Sequence, residues 1–382
     1  MNIQLLNKIA AVGLDQLDDS YNVGENVENP DGIMVRSAVM HEMEFAPSLK
    51  AIARAGAGVN NIPIERCSEN GIVVFNTPGA NANGVKELAI CALLLAARDV
   101  VGGIAWANTL TEDVAKQVEK GKSKFGGTEL MGKTLGVIGL GAIGGKIANT
   151  AIHLGMNVIG CDPFLSIEGA WNLNHRVSRA ATYDEVFEKA DYITLHVPAT
   201  KETKNMICTE SIAKMKDGVK IINLSRADLV NAAELKAALA DGKVSAYVTD
   251  FPTEEVINTP GVVAIPHLGA STEESEDNCA VMAARQLDDY LKNGNIKNSV
   301  NYPNVEMPRS GAARICVLHQ NVPSILTKIT AAVADEGLNI ENMTNKSKGE
   351  NAYTVLDVSS TPSDDAIARI SAVEGINRVR VI

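Results

Sequence analysis

The sequence predicts an α/β fold in which helices cover both faces of doubly wound parallel sheets. Short apolar runs rich in β-branched residues alternate with segments of helical periodicity along most of the chain, which is typical of successive strand and helix units. A glycine-rich turn separates one of these runs from the helical segment that follows it. The 382 residues predict more than one domain, since domains usually hold about 100 to 200 residues.

The composition narrows the class of function. A net charge of −11 argues against a nucleic-acid partner, because phosphate backbones are bound mainly through Lys and Arg. The six cysteines form no CxxC pair, which predicts reduced thiols, a cytoplasmic location and no metal site. The N-terminal stretch lacks the pattern of a signal peptide. The longest apolar run, 88–97, is shorter than the roughly 18 residues of a membrane span, so we expect no membrane contact.

The first part of the chain predicts one α/β series. Strands are expected at 33–35, 51–54 and 72–75, separated by loops rich in Gly and Asn. A helix over 84–98 closes the series, and residues 99–132 are mostly polar and helical in pattern. This part is long enough to form an α/β domain of its own.

The glycine motif after the apolar strand 135–138 is the strongest local signal. Gly139 permits a tight turn, Gly141 lets the backbone approach a pyrophosphate, and Gly144 lets the helix pack close to the strand. With Ala142 and Ile143, these residues lead into a helix N-terminus, which favours phosphate.

An acidic residue follows the motif at the expected distance. A second strand at 157–160 leads to Asp162, whose carboxylate would accept from a ribose 2′-hydroxyl and repel the 2′-phosphate of NADP. The motif alone could be a turn without a ligand. Strand, helix and Asp162 in register favour a Rossmann-type domain that binds NAD.

The rest of the chain predicts a second α/β series to about residue 266 and a helix over 274–292. The polar segment 293–311 has no periodicity and contains proline, as linkers do. Residues 314–382 are sufficient for a small α/β domain, with a helix over 324–336 and strands near 340, 353–358 and 378–382.

Several segments resemble the D-2-hydroxyacid dehydrogenases, and within them the branch that acts on 3-phosphoglycerate. They are RAGAGVNNI, GKTLGVIGLGAIG, HVPATKETKNMI, INLSRADLV, DFPTEE and PHLGAST. The resemblance implies a flavodoxin-like substrate domain of residues 1–92 and 273–302, into which a Rossmann domain of residues 93–272 is inserted. It further implies a linker at 303–311, an active site in the cleft between the two domains, and a homo-oligomer, either dimer or tetramer.

Oxidation of a hydroxy acid needs a base that titrates near neutrality, for which histidine is the natural candidate. By the resemblance, His267 is the catalytic base, Glu254 pairs with it, and Arg226 binds the substrate carboxylate with its planar fork. The resemblance adds cofactor contacts from Pro198, Ser225, Asp250 and Gly269.

Two departures from the family pattern affect these assignments. Ala227 follows the arginine where a glycine is usual. The run TDFPTEE replaces a common DVFxxEP, so an ungapped match places Thr249, not Asp250, where an Asp would meet the nicotinamide amide. We favour Asp250, which requires a strand one residue shorter.

A phosphorylated hydroxy acid carries negative charge at both ends, so cations and backbone donors are expected in the substrate domain. Arg54, followed by Gly56 and Gly58, suits a carboxylate or phosphate through its side chain and nearby amides. The resemblance adds Arg36 and Asn81, and Lys86 could supply a further phosphate contact; Arg36 and Lys86 could equally be solvated surface charges.

The C-terminal segment, residues 312–382, resembles an ACT domain, the βαββαβ module of amino-acid-controlled enzymes. His319, Asn321 and Asn339 fall on positions that contact L-serine in this branch, and their polar groups suit a zwitterionic amino acid. Ser324 replaces the usual glycine after Pro323. The alternative is a module that only assembles subunits.

Three functions therefore remain open. The first is NAD-dependent oxidation of 3-phospho-D-glycerate, as the first step of L-serine synthesis under serine control. The second is reduction of an unphosphorylated acid such as hydroxypyruvate or glyoxylate. The third is an NAD-sensing interaction protein without catalysis.

Overall fold

A parallel five-stranded sheet occupies the first 80 residues of the computed structural model, which describes residues 1–382. The strand order is β2-β1-β3-β4-β5, the flavodoxin-like order. The predicted strands at 33–35, 51–54 and 72–75 are confirmed within one residue. The elements are β1 (Asn2–Leu5), α1 (Ala11–Leu14), β2 (Asn22–Gly24), β3 (Gly32–Val35), β4 (Ala51–Arg54), α2 (Ile64–Glu69) and β5 (Val73–Phe75).

The middle of the chain forms a seven-stranded parallel sheet in the order β12-β11-β10-β9-β6-β7-β8. This is the doubly wound Rossmann order, with β6 at the point where the direction of winding reverses. Its elements are α3 (Ala82–Ala97), α4 (Val100–Ala107), α5 (Val114–Gly121), β6 (Thr134–Ile138), α6 (Gly144–His153), β7 (Asn157–Cys161), α7 (Ile167–Trp171), β8 (Val177–Arg179), α8 (Tyr183–Lys189), β9 (Tyr192–Leu195), α9 (Thr209–Lys214), β10 (Val219–Asn223), α10 (Ala232–Ala240), β11 (Val244–Thr249) and β12 (Val262–Ala264).

After the long helix α11 (Glu273–Asn293), the chain forms a four-stranded antiparallel sheet in the order β14-β15-β13-β16. Its elements follow the predicted order βαββαβ, and we refer to residues 313–381 as the C-terminal module. They are β13 (Ala313–Gln320), α12 (Ile325–Ala334), β14 (Ile340–Lys348), β15 (Asn351–Val358), α13 (Asp364–Ser371) and β16 (Ile376–Val381).

The chain divides into two compact units, and the division differs from the predicted boundary after residue 92. The first unit is Met1–Ala80 with Glu276–Ile382, and the second is Asn81–Ser275. The boundary falls before α3 because that helix packs its buried face, including Ala89 and Leu93, on the core of the second unit. Residues 81–92 therefore belong with the Rossmann sheet.

The C-terminal module belongs to the first unit and shares its hydrophobic core. Leu318 and Tyr353 on one face of the module sheet join the cluster that contains Phe75, Leu287 and Tyr290. The predicted linker 303–311 is held in place, since Ile296 and Val305 form a β-bridge and Val305 and Met307 are buried. The module is consequently packed against the first unit rather than tethered to it.

No single helix is long and apolar enough to cross a membrane; α3 and α4 together meet that test but are bent by 72°. All six cysteines are free thiols.

Candidate active site

The glycine turn between β6 and α6 has the geometry that a dinucleotide requires. Gly139 has a φ of 88°, and a Cβ there would collide with the carbonyl oxygen of His196. A Cβ on Gly144 would collide with the carbonyl of Gly139, so the helix could not approach the strand with any larger residue. A Cβ on Gly141, by contrast, would meet no atom within 4 Å. Gly141 thus faces the open space that a pyrophosphate would fill.

Backbone donors converge on that space. The N–H groups of Gly141, Ala142 and Ile143 have no acceptor within the protein. They stand at the start of α6, where the helix dipole is positive. Unpaired amides at a helix N-terminus bind phosphate oxygens. The turn therefore fits the pyrophosphate of the predicted cofactor.

Asp162 lies directly after β7, beside the glycine turn. Its Oδ2 accepts from the N–H of Leu140 at 2.8 Å and its Oδ1 accepts from the N–H of Phe164 at 2.9 Å. These bonds fix the carboxylate and leave each oxygen a lone pair for a ribose hydroxyl. A fixed negative charge at this position favours NAD over NADP.

The end of β11 distinguishes the two candidates for the nicotinamide contact. Thr249 is the last residue of β11, and its Oγ1 accepts from the N–H of Phe251 at 3.0 Å. Asp250 follows the strand; its Oδ2 accepts from the N–H of Gly269 at 3.1 Å, whereas its buried Oδ1 has no partner. Burial raises the pKa of Asp250. A buried, unpaired oxygen indicates a missing hydrogen-bond donor, which a carboxamide could supply.

Two further cofactor candidates lie at the carboxyl ends of neighbouring strands. Ser225 follows β10 by two residues, and its hydroxyl donates to the carbonyl of Leu195 at 2.6 Å, which ties β10 to β9. Pro198 is exposed in the loop after β9, and its carbonyl accepts from Thr203 Oγ1 at 2.6 Å. Both positions lie at the sheet edge where ligands bind in doubly wound folds.

Arg226 and His267 both contact the same aromatic ring, that of Phe251. The Arg226 guanidinium carbon lies 5.6 Å from the centroid of the Phe251 ring. The imidazole of His267 lies 4.4 Å from the same ring, tilted by 45°. Both side chains are exposed enough to reach a ligand. A base and a cation on one ring form an arrangement suited to a hydroxy or oxo acid.

The predicted pairing of Glu254 with His267 is not formed. Glu254 is exposed and makes no hydrogen bond or ion pair, and the His267 ring also has no hydrogen-bond partner. The two residues lie in the segments after β11 and β12. Their pairing remains a prediction.

The candidate substrate residues Arg36, Arg54 and Gly58 lie in the first unit. Arg54 ends β4, and its Nε donates to the carbonyl of Arg36 at 3.1 Å. Its guanidinium lies where a Cβ on Gly56 would be, and the amides of Ala57 and Gly58 have no acceptor. Arg36 forms an ion pair with Glu276 at 2.5 Å.

The remaining two candidates, Asn81 and Lys86, lie in the second unit at the start of α3. Asn81 is the N-cap residue of α3 but makes no side-chain cap bond, so its amide is available. The Lys86 ammonium donates to Asn83 Oδ1 at 2.7 Å and lies 3.4 Å from a Glu87 oxygen. Lys86 is thus partly neutralised by its own helix.

The candidate effector residues lie at two ends of the module sheet: His319 and Asn321 at the end of β13, and Asn339 just before β14, beside Ser359 at the opposite end. His319 is buried, with Nε2 2.8 Å from Thr354 Oγ1 and Nδ1 2.7 Å from the Gln320 carbonyl. Burial lowers its pKa, so the ring is neutral. Asn321 is exposed and donates to the Gly349 carbonyl at 3.2 Å, and the Asn339 amide donates to Glu341 at 2.8 Å.

One residue of the site, Phe251, was missed by sequence reasoning. Phe251 stands inside the DFPTEE segment but carries no reactive group, so nothing in its chemistry marks it. His196, in the HVP segment, directly follows β9; its buried Nδ1 has no partner, and burial lowers its pKa to about 3. Its carbonyl lies against Gly139, because β6 and β9 pair in parallel.

Residues 94–269 match the family described as D-isomer specific 2-hydroxyacid dehydrogenase, NAD binding domain. A D-3-phosphoglycerate dehydrogenase from Haemophilus influenzae is 32% identical over 92% of this chain and 86% of its own. One from Methanocaldococcus jannaschii is 36% identical over 82% of this chain. The chain spans only part of some relatives: 59% of the Methanocaldococcus jannaschii protein, 52% of the one from Archaeoglobus fulgidus and 54% of the one from Bacillus subtilis.

Solved structures show the same relationship. A 3-phosphoglycerate dehydrogenase from Entamoeba histolytica with bound NAD+ is 31% identical, with a TM-score of 0.62 over 79% of this chain and 98% of its own. A glyoxylate reductase from Paecilomyes thermophila is 25% identical, with a TM-score of 0.64 over 78% of this chain and 98% of its own.

Proposed function

The chain belongs to the D-isomer-specific 2-hydroxyacid dehydrogenase family, and we propose that it oxidises 3-phospho-D-glycerate to 3-phosphohydroxypyruvate with NAD. The observation that carries this proposal is the placement of Arg226 and His267 on one aromatic ring, next to the buried Asp250. These groups supply a carboxylate ligand, a base and a partner for the nicotinamide amide. The product would enter L-serine synthesis.

The reaction removes a hydride from the hydroxyl-bearing carbon and a proton from its hydroxyl oxygen. Bound NAD would supply the acceptor for the hydride. The His267 imidazole takes the hydroxyl proton, so that the carbon–oxygen bond becomes a carbonyl. The Arg226 guanidinium holds the substrate carboxylate and stabilises negative charge on the reacting oxygen. In the reverse direction His267 returns the proton.

The residues around the glycine turn support NAD as the cofactor. Gly141, Ala142 and Ile143 would hold the pyrophosphate, Asp162 the adenosine ribose, and Asp250 the nicotinamide amide. The buried Asp250 oxygen without a partner would accept from the carboxamide N–H. Ser225, Pro198 and Gly269 would line the same edge of the sheet.

The first unit supports an anionic substrate. The Arg54 guanidinium and the free amides of Ala57 and Gly58 form a site for a carboxylate or phosphate. Asn81 remains a further predicted substrate contact. One observation favours the second candidate, a reductase of unphosphorylated acids: Arg36 and Lys86, the proposed phosphate ligands, already have carboxylate neighbours in Glu276 and Glu87.

We further propose that L-serine binds the C-terminal module and that the protein is a cytoplasmic homo-oligomer. The exposed Asn321 and the neutral His319 next to it suit an amino acid. The helix α4 exposes Val100, Val101 and Ile104 by 42%, 48% and 57%, which supports assembly through this face. The free thiols support a reducing compartment.

The test is NADH oxidation with phosphohydroxypyruvate and with hydroxypyruvate, each with and without millimolar L-serine. We expect a kcat/KM for the phosphorylated acid at least about 100-fold higher, as two charge-assisted hydrogen bonds predict. His267→Ala should abolish turnover and leave the Kd of NADH, from fluorescence titration, unchanged. Equal rates with both acids would favour the reductase, and full activity of His267→Ala would refute the proposed base. No inhibition by serine and no shift in Tm would refute the effector proposal.

A further inference from the structure

Phe251 is a large aromatic residue that lies outside the hydrophobic cores. Its side chain is half-buried, and it is a member of none of the apolar clusters of either unit. Its ring instead contacts Arg226 and His267. Large apolar side chains are normally placed by core packing. Core packing does not account for this one.

The two side chains that Phe251 contacts have few other restraints. The Arg226 Nη1 donates at 2.6 Å only to the carbonyl of its own neighbour, Ser225. The His267 ring makes no hydrogen bond, and only its backbone carbonyl accepts, from Ser271 Oγ at 3.5 Å. The Phe251 ring is therefore the contact that orients the imidazole.

The ring itself stands on a rigid base. The N–H of Phe251 is bonded to Thr249 Oγ1 at 3.0 Å, and Thr249 ends a strand that pairs with β10 and β12. Asp250 then ties the loop that carries His267 to the same strand end through Gly269. The backbone of Phe251 is thus fixed by the sheet, independently of the two side chains that its ring contacts.

On another side, Phe251 borders a cavity of about 310 Å³, lined also by Ala227, Asp228, Tyr247 and Thr253. This space means that the ring is not tightly enclosed. A smaller side chain here would enlarge a space that already exists. Changes at Phe251 can therefore be read as effects on its two contacts.

We propose that Phe251 is a positioning residue, whose ring holds the guanidinium of Arg226 and the imidazole of His267 in the geometry for the reaction. This inference rests on the proposed function. The face of an aromatic ring attracts cations within about 6 Å. His267 becomes a cation when it takes the hydroxyl proton, so the ring also favours that state, while Arg226 remains charged throughout.

The test compares Phe251→Leu, which loses the ring, with Phe251→Tyr, which keeps it. Phe45→Leu is the matched control, because Phe45 is also half-buried under an arginine, 4.6 Å from Arg66, but lies outside the site. We expect kcat of Phe251→Leu to fall on the order of 10- to 100-fold, as for a small misplacement of reacting groups. The Kd of NADH and the Tm should match those of the wild type.

Phe251→Tyr should recover most of the lost kcat, and Phe45→Leu should retain it all. A Phe251→Leu protein with unchanged kcat, or a tyrosine variant as impaired as the leucine variant, would overturn the proposal. Failure of Phe251→Leu to fold would also overturn it, since that outcome assigns the ring a packing role. If His267→Ala is inactive and Phe251→Leu is fully active, only this inference fails; an active His267→Ala refutes the proposed function itself.

Discussion

At the scale of single residues, the nicotinamide end of the site depends on where β11 stops. An ungapped match to the family pattern places Thr249 at the contact, but Thr249 is the last paired residue of the strand and its hydroxyl is bonded to the backbone. Asp250 is the first residue beyond it and carries the unpaired oxygen. Asp250 therefore stays the predicted contact, and the exact end of the strand is set by hydrogen bonding that a sequence pattern does not encode.

Asp250→Asn tests this assignment. Asparagine can still accept from Gly269, but it presents no buried charge. Because burial raises the folded-state pKa of Asp250 above its ordinary value of about 3.9, the aspartate contributes to stability below about pH 3.9 and loses that contribution as pH rises through the folded-state value. The variant should therefore gain in Tm relative to wild type between about pH 4 and pH 8, with no gain in acid.

The same variant should bind NADH on the order of tenfold more weakly, since one charge-assisted hydrogen bond is reduced to a neutral one. Thr249→Val is the control, and its Kd should stay close to that of the wild type. Titration by fluorescence and thermal unfolding across pH measure the two effects. A weaker Kd in Thr249→Val alone would assign the contact to Thr249.

At the scale of elements, apolar periodicity predicted the buried parallel strands within one or two residues, because strands covered on both faces are continuous apolar runs. It missed β1 and β2, whose residues NIQL and NVG are short and partly polar. Periodicity also predicted a helix over 84–98, which α3 confirms, but the boundary predicted after residue 92 divided that helix between the two domains. Periodicity shows that a face is apolar, but not which core will cover it.

Some parts of the candidate site could be predicted from the sequence and others could not, because only some of them carry a local sequence pattern. The glycines of the turn carry their own geometric signature, so their roles could be read locally. Phe251 acts only through residues from two other segments, and no local pattern reveals such a contact. The predicted bond between Glu254 and His267 depends on two loops, and neither segment by itself determines whether they meet.

The start of α12 shows a local conflict between residue and backbone. Ser324 has a φ of 64°, in the left-handed region, and its side chain makes no cap bond to the helix. Glycine adopts this conformation without the steric cost that a Cβ brings. Ser324→Gly should thus raise the free energy of unfolding by about 1 kcal/mol, measured by denaturant titration.

Ser363→Gly is the control for Ser324→Gly. Ser363 caps α13 with its side chain in an extended conformation, and its loss should destabilise by about 1 kcal/mol at most. If Ser324→Gly destabilises the protein, the Ser324 hydroxyl contributes more to stability than its left-handed backbone conformation costs.

At the scale of the whole molecule, the C-terminal module is joined to the rest of the first unit by polar contacts as well as by the common core. Asn377 donates to the Ser68 carbonyl at 2.6 Å, and Arg380 donates to the Leu291 carbonyl at 2.9 Å. The hydroxyl of Tyr353 donates to the Gly294 carbonyl at 2.6 Å. These contacts hold the module against α2, α11 and the segment that follows α11.

A buried ion pair anchors this joint. Arg314 and Asp357 are both fully buried and form two bonds, at 2.6 and 2.8 Å. Arg314 also donates to the carbonyls of Asn293 and Pro308, and Asp357 accepts from the N–H of Ser310. Burial opposes ionisation of Asp357, but the bonds from Arg314 and Ser310 outweigh it and lower its pKa. The pair is satisfied on every side and fixes the segment that leads into the module.

Arg314→Met should therefore lower the free energy of unfolding by about 3 to 5 kcal/mol, because it leaves the carboxylate of Asp357 buried without its partner. Arg314→Met with Asp357→Asn should recover part of that loss, since no charge is then buried and Ser310 keeps an acceptor. A lowered folded-state pKa means that the wild-type pair contributes above about pH 3.9 and loses its contribution as pH falls through the folded-state value. Denaturant titration across pH should show this acid loss in the wild type and not in the double variant. Hydrogen exchange should rise at residues 293–311 in the single variant, and unchanged exchange there would show that the core alone holds the module.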